Sequence, residues 1–585
     1  MIDPITLEVI WSRLISVVDE QAAALIHSSF TTVVREAGDL SAGVFDRSGN
    51  MVAQSVTGTP GHINTMANCV RKFVAPNYPI DSLDPGDTLI TNDPWEASGH
   101  LFDLTIVSPV FYRGRGVAYF ASTCHAVDIG GATMGGDARS LYEEGLAIPL
   151  MKLFKAGEAN RELFDIIRAN VRVPDQVIGD VYAQEVGNQV GARKLIEMLD
   201  EYDLPDIEEV SALILDRTET AVRAAIRALP DGVYSNTITI DGFDTPLTIA
   251  CSLTVEGDEL VVDYEGSSPQ VDRGINVVLN YTHAYTTYTL MAALAPGIPN
   301  NEGAFRPIDV RAPLGSILNC TRPAPVSARH LIGHFVSQPL LTALAEIVPD
   351  QVIANGSAGL WNTMMDGIDA HGNEFAYIFF SAGGMGAAQD RDGLSATAFP
   401  SGIMGVPVEA IETAAPLLMH RRELRPDSGG PGRFRGGLGQ VMELEIITGR
   451  SANHSCMYDR TENPALGLLG GAPGAAGDLR LSDGGRPHPK SHYVLQPGQR
   501  VILELPGGGG FGPPLERDPA RVLADARAGY VSLAAAERDY GLAIDPATMS
   551  IDAVATAARR QRQESAAPTQ KKEPSPSRDH GAHSE

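Results

Sequence analysis

The sequence predicts an α+β protein of several domains, with a mixed helical and β N-terminal region and β-rich central and C-terminal regions. Three observations carry this expectation. A chain of 585 residues exceeds what one ordinary hydrophobic core supports. Apolar residues recur at helical spacing in some stretches and alternate with polar ones in others. The two kinds of stretch are segregated along the chain, with a change of composition at Pro230.

Taken in order, residues 3–36 read as one long amphipathic helix. Pro4 sits in its first turn, and Ile5, Val9, Leu14, Val18 and Leu25 recur near helical spacing. In SAGVFDRSGNMVAQS, Ser48-Gly49-Asn50 supplies a turn between two short apolar runs. Residues 80–155 are β-rich, with DTLITNDP and DLTIVSPVFYRGRGVAYFAST giving strands separated by Gly/Arg turns. Residues 158–228 are helical. Beyond Pro230, DGVYSNTITIDGFDTPLTIACSLTVEGDELVVDYEG alternates polar and apolar residues, the mark of antiparallel strands, and NYTHAYTTYTLMAALA forms a helix.

Residues 351–515 are rich in glycine and short strands, without the regular spacing of a propeller. The expected organisation is a metal-bearing region over 1–229, a mixed β/α domain over 230–350 and a Gly-rich β domain over 351–515. C-terminal helices over 516–562 and a disordered polar tail over 563–585 complete it, the tail having too few large apolar residues to fold. His580 and His583, in that tail, are poor candidates for function.

Composition narrows the function classes. Hydrophobic residues at 43% and charged residues at 20% are the balance of a soluble globular chain. A formal net charge of -27 repels polyanions, so neither nucleic acid nor a membrane surface is expected as a partner. No stretch approaches the ~20 apolar residues of a membrane span, and acids interrupt the N-terminus where a signal peptide would carry basic residues. Cys69, Cys124, Cys251, Cys320 and Cys456 are scattered and odd in number, with no CxxC pair. Reduced, buried thiols in a cytoplasmic protein are the expectation.

The chemistry-bearing segment is TNDPWEASGHLFDLTI, taken together with STCHAVDIGGATMGG. His100 and Asp103 form an H-x-x-D pair in a turn entering a strand, and His125 ends the next strand run, where adjacent strand ends can meet. Two imidazoles and a carboxylate make a three-ligand set with open positions, which Zn²⁺, Mn²⁺ and Fe²⁺ all accept. Such a set acidifies bound water, as a hydrolytic site requires. A loop hydrogen bond accounts for His100 and Asp103 as well, and a satisfied core histidine for His125. Asp39 is either a fourth oxygen ligand or a turn cap. Asp128 either orients His125 or opens a glycine turn.

The glycine runs at 381–390, 427–439 and 506–514 lack the lysine and hydroxyl residue of a phosphate-binding loop. Tight turns are expected there, with an anion contact at Arg433 and Arg435 as the alternative. There is no GxSxG nucleophile motif, and Cys124 is expected to pack rather than react.

At these residues the chain resembles the hydantoinase B/oxoprolinase family over about residues 3–545. The resemblance rests on segments in the family's order: DPITLEVI, GDLSAGVFDRSGNMVAQS, GHINTM, NDPWEASGHLFDLTIVSPVF and HAVDIGG. EEGLAIPLMKL, RVPDQVIGDVYAQ, RPDSGGPGRFRGGLG and GGGGFGPPLERDPARVLADARAGYVS continue it.

The resemblance implies a divalent metal (Zn, Mn or Fe) held by His100, Asp103 and His125, with Asp39 as fourth ligand or as the carboxylate addressing water. Asp39 and His125 are then the groups nearest the reaction. It also implies a hetero-oligomer in which ATP is held by a hydantoinase A-type subunit that phosphorylates a small cyclic amide, while this chain binds no ATP. A ketone carboxylase subunit is the alternative within the family, and a non-catalytic scaffolding subunit the alternative outside it. The chain departs from many members at Ala126, where they carry a second histidine (HHADIGG against HAVDIGG).

Overall fold

Seven antiparallel strands organise the first part of the chain in the computed structural model, which describes residues 2–566. They are β1 (Leu40–Phe45), β2 (Met51–Gln54), β3 (Thr88–Thr91), β4 (Asp103–Tyr112), β5 (Arg115–His125), β6 (Met151–Lys155) and β7 (Glu158–Ala159). Their order across the sheet is β2-β1-β5-β4-β3-β6-β7. β1 and β2 form the hairpin expected around Ser48-Gly49-Asn50, with the Asp46 carboxylate accepting from the Ser48 and Asn50 N–H groups at 2.9 Å.

Side chains on a strand alternate between its faces, and both faces of β5 are covered. Phe120 packs with Leu7, Trp11, Leu14 and Leu195 under the helices Pro4–Ser28 and Pro174–Glu201. Tyr119 and Ala121 face the other way, into the main core with Ile63 and Met66 of the helix Pro60–Cys69. Inside the helical layer Gln21 Nε2 donates to the Asn188 side chain at 2.8 Å and to the Ala121 carbonyl at 3.0 Å.

The single helix expected over 3–36 is broken. It ends at Ser28, and a separate short helix spans Thr32–Arg35. The cause is remote in sequence: Asp180 accepts from the Phe30 N–H at 2.7 Å and the Thr31 hydroxyl at 2.5 Å, pinning the chain between the two helices.

Three four-stranded sheets follow. The strands Gly232–Ile240, Leu247–Glu256 and Glu259–Asp263 form the expected antiparallel meander, and Ile308–Arg311 joins its edge in parallel. The helix Leu279–Leu294 is also as expected. The other two sheets interleave along the chain: Trp361–Ile368, Glu374–Ser381, Ala452–Met457 and His492–Leu495 in one, Leu417–Leu424, Gln440–Ile446, Asp478–Leu481 and Arg500–Glu504 in the other.

The glycine runs pack against each other through their backbones. Gly384 N–H donates to the Pro506 carbonyl at 3.0 Å, Gly437 to Met385 at 2.8 Å and Gly508 to Gly437 at 2.9 Å. A Cβ at Gly384 would lie 1.9 Å from the Gly437 carbonyl oxygen, so this approach excludes any side chain. Arg435 and Arg433 donate to the carbonyls of Gly436 at 2.6 Å and Gln389 at 3.1 Å, serving the loops themselves.

The chain divides into two compact units, Met1–Pro514 and Leu515–Glu585. The boundaries expected at 229/230 and 350/351 fall inside the first. In the second unit the helices Pro519–Arg527, Leu533–Tyr540 and Ala553–Ala566 are interrupted by a two-stranded ribbon, Ile544–Asp545 with Ser550–Ile551, which the helical pattern missed. Asp545 builds its turn by accepting from Ala547 N–H at 2.8 Å. Residues 563–566, assigned to the tail, are helical, and the rest of that tail, with His580 and His583, lies outside the described residues. The five cysteines are free and buried. No helix among the described residues is long and apolar enough to cross a membrane.

Candidate metal centre

Strand register brings the first two groups together. Asp103 opens β4 and His125 closes β5, and the two are paired partners in the antiparallel ladder. On the other side of β5, Leu40 pairs with Cys124, so Asp39 arrives beside His125, whose N–H donates to the Asp39 carbonyl at 3.2 Å. His100 reaches in from the turn before β4. That turn needs Gly99, whose φ is +88° and whose Cβ would lie 2.8 Å from Arg329 Cδ.

The Asp103 carboxylate, fully buried, is the hub. Its Oδ2 is surrounded by donors: Arg329 Nη2 at 2.5 Å and His62 Nε2 at 2.9 Å. Its Oδ1 faces His100 Nε2 at 2.9 Å and His125 Nδ1 at 3.0 Å. One potential ligand atom from each of His100, Asp103 and His125 lies within 4.8 Å of the others. The Asp39 carboxylate is adjacent, 3.8 Å from His125 Nδ1 and 3.5 Å from His62 Nδ1.

Protonation follows from the partners. His100 Nδ1 lies 2.8 Å from the Ser327 carbonyl, which only accepts, and 3.3 Å from Arg329 Nη1, which only donates; the shorter contact favours the ring proton on Nδ1. Burial and the neighbouring Arg329 guanidinium push the His100 pKa down to about 4, so the ring carries one proton at neutral pH. Its Nε2 is then a bare lone pair, and it has no hydrogen-bond partner among the described residues.

Burial alone would raise the Asp103 pKa, but the imidazoles of His100 and His62 and the Arg329 charge outweigh it and hold the group well below the usual carboxylate range. Asp39 is pushed up by burial despite His62 and His125. His62 is raised, because Asp103 and Asp39 outweigh its desolvation.

Sequence reasoning named Asp39, His100, Asp103 and His125, and the fold brings all four together. It missed His62, on the helix Pro60–Cys69, and Arg329, His330 and His334, some 200 residues further on in sequence order. A cavity of about 30 Å³, space for one or two waters, is bordered by Asp39, His62, His125, Tyr281, His330 and His334. Both ring nitrogens of His330 and the Nδ1 of His334 lack partners among the described residues. Burial holds both rings neutral, with His334 near 3. The usable signal was R-H-x-x-x-H in an apolar stretch, an i,i+4 imidazole pair.

Of the two readings of Asp128, the turn prevails: it accepts from Gly130 N–H at 3.1 Å and from Arg172 Nη1 at 2.7 Å, and His125 is not among its partners. Cys124 packs with Ala22, Leu25, Val34 and Leu40, its thiol pKa raised by burial.

Comparison with known proteins decides the family. Residues 3–514 match Hydantoinase B/oxoprolinase. The chain belongs to that family. It is 32% identical to a protein of Pseudomonas sp. (strain NS671) described as the B component of a D-/L-hydantoinase, over 93% of this chain and 95% of the relative. The ATP-dependent caprolactamase of Pseudomonas jessenii has the same architecture, with TM-score 0.88 and 31% identity over 96% of this chain and all (100%) of the other. A nucleotide-free acetone carboxylase shares the fold at TM-score 0.88 and 21% identity, over 96% of this chain and 83% of that one. At the coarse level these relatives make the chain a subunit-type member of a group of ATP-dependent enzymes that includes hydrolases.

Proposed function

We propose that this chain is the metal-bearing B-type subunit of an ATP-dependent cyclic amide hydrolase, working with an A-type subunit that phosphorylates the substrate. The observation that carries the reading is the pair of imidazole nitrogens, His100 Nε2 and His125 Nδ1, converging on Asp103 Oδ1 at 2.9 and 3.0 Å. His100 Nε2 presents a lone pair, not a proton, to a carboxylate oxygen. Two electron pairs facing each other in a buried site repel unless a cation lies between them. The donor set suits zinc, manganese or iron. His100, Asp103 and His125 would hold the ion, with Asp39 beside it. When bound, such an ion lowers the pKa of water toward neutrality and polarises a carbonyl-derived carbon.

An unactivated lactam resists water. Phosphorylation of its carbonyl oxygen by the partner, at the expense of ATP, gives an imidate phosphate with an electrophilic carbon. Water adds to that carbon and loses a proton to Asp39. The tetrahedral species must then break its C–N bond, since loss of phosphate instead would return the lactam. Asp39 returns its proton to the departing nitrogen and takes up the hydroxyl proton as the carbonyl re-forms, leaving an acyl phosphate. A second water converts this to carboxylate and inorganic phosphate. The polarity of Asp39's surroundings, with His62 and His125 on either side, supports this role.

The test is reconstitution of the chain with its A-type partner, ATP and a series of lactams and hydantoins, with and without bicarbonate. Ring opening coupled to ADP formation, independent of bicarbonate, is expected, with none from the isolated chain. Asp39→Asn should lower kcat by about 10²-fold or more. Ketone consumption that requires bicarbonate would instead assign the chain to the carboxylase branch. ATP-dependent turnover by the chain alone would refute the division of labour.

A further inference from the structure

Beside the metal cavity lies a second, larger cleft of about 440 Å³. Among the described residues no Asp, Glu, Lys, Arg or His lines it, in a chain of which 20% is charged. Two other clefts of comparable size, about 420 and 570 Å³, are lined by groups such as Glu144 and Arg172 or Arg71 and Arg306. The uncharged cleft therefore stands apart in chemistry as well as in position.

The cleft continues the wall of the metal cavity. Tyr281 and Tyr285 border the cavity, and Tyr288, Ala292 and Ala295 border the cleft. Their spacing of four, three, four and three residues places all five on one stripe along the helix Leu279–Leu294 and its C-cap. The facing helix behaves likewise, with His62 at the cavity and Ile63 and Asn64 at the cleft. Between the two spaces stand Thr59 and Pro60 on one side and Pro400 and Ser401 on the other, each neighbouring pair contributing one residue to each space.

The cleft also carries a polar pair. Asn300 Nδ2 donates to Gln54 Oε1 at 2.7 Å and to Asn64 Oδ1 at 2.9 Å, and Asn64 Nδ2 is bound to Thr287 Oγ1 at 3.0 Å. These bonds leave one donor, Gln54 Nε2, and one acceptor, Asn300 Oδ1, with no hydrogen bond to another described residue. The amide of a small ring is held cis, so its C=O and N–H project from the same edge. A donor and an acceptor on two touching side chains match that edge, while Met291, Ile298 and Pro296 offer apolar surface to the ring carbons.

We infer that this cleft is the recruiting subsite for the free substrate, and that it selects uncharged cyclic amides with apolar rings over ring-carboxylated ones. The inference rests on the cyclic amide reading above and sharpens it. A ring carboxylate would enter a space without a cation and lose its hydration uncompensated.

The test uses a matched pair of probes, 2-pyrrolidone and 5-oxoproline, which share a ring and differ by the carboxylate, with ε-caprolactam as the larger neutral ring. Binding to the purified full chain is followed by saturation-transfer NMR, and bound metal is measured on the same samples. The neutral lactams should bind in the millimolar range expected of ligands this small, and 5-oxoproline at least about tenfold more weakly. Ala292→Trp fills the cleft from an exposed position and should weaken neutral lactam binding by about tenfold or more, with metal content unchanged.

Asn300→Leu should do the same through loss of the acceptor. Equal binding of the two matched probes, lactam binding indifferent to Ala292→Trp, or no lactam binding at all would overturn the inference. Loss of metal or of ATP-dependent turnover reports on the function proposed above instead, so the two failures are separable.

Discussion

His100 and Asp103 were legible because three residues separate them in a turn that enters a strand, and His125 because strand runs of similar length follow one another. Their partners were not. His62 lies in a helix start whose distance from His100 carries no pattern, and Arg329 comes from a segment with no regular strand or helix signal. Yet Arg329 is what makes the buried Asp103 carboxylate tolerable. Its guanidinium binds Asp103 Oδ2, donates to the Ser98 carbonyl and stacks 4.1 Å from the Tyr281 ring centroid.

Removing one partner of a buried pair leaves the other charge uncompensated, at a cost of about 3–5 kcal/mol. Arg329→Met should therefore lower the unfolding free energy of the metal-free chain by about that amount in urea titrations. An unchanged midpoint would mean that His62 alone satisfies Asp103. Ala126, beside His125 in sequence, is buried, its N–H donating to the Phe102 carbonyl at 2.7 Å.

At the scale of elements, the strands and the principal helices follow from periodicity, and the misses share one cause. The break after Ser28 is imposed by Asp180, and the stacking of the glycine runs is imposed by backbones far apart in sequence. Local pattern cannot report either. The helix Pro174–Glu201 shows the same dependence. Gly191 has helical backbone and no conformational need for glycine, but a Cβ there would lie 2.5 Å from the ring of Phe120 on β5.

The contact is with a side chain that is itself fully buried, so it cannot swing clear. Gly191→Ala should destabilise the chain by about 1–3 kcal/mol, against the small gain expected of alanine in a helix. Thermal denaturation distinguishes the two signs. A variant as stable as the parent would show that the helix lifts from β5 at no cost.

On the scale of the molecule, the site is assembled from segments that only tertiary structure unites, and Glu144 is one of the fasteners. Its carboxylate accepts from the Val326 and Ser327 N–H groups at 2.7 and 2.8 Å, while its other oxygen has no partner among the described residues. Burial, opposed by those two bonds, raises its pKa from 4.5 to about 8. The folded state thus keeps a proton that the unfolded chain releases. The resulting stability is fully present below pH 4.5 and is lost as pH rises through about 8.

Glu144→Gln should flatten this part of the pH dependence, by at most about 1.4 kcal/mol per pH unit across the window. Urea midpoints for both chains over that range check it, and parallel slopes would contradict it. Whole-chain organisation was the least legible level, since the two C-terminal sheets draw their strands alternately from the same stretch.

The claim on which the rest depends is that His100, Asp103 and His125 hold a cation. Chelator-stripped protein dialysed separately against zinc, manganese and iron, then assayed for bound metal, tests it directly. The expected result is one equivalent per parent chain for at least one of the three ions, with affinity lowered about 10-fold or more in His100→Ala and His125→Ala chains that keep the parent circular dichroism spectrum. A folded parent chain that takes up none of the three ions, or variants that retain them equally, would contradict it.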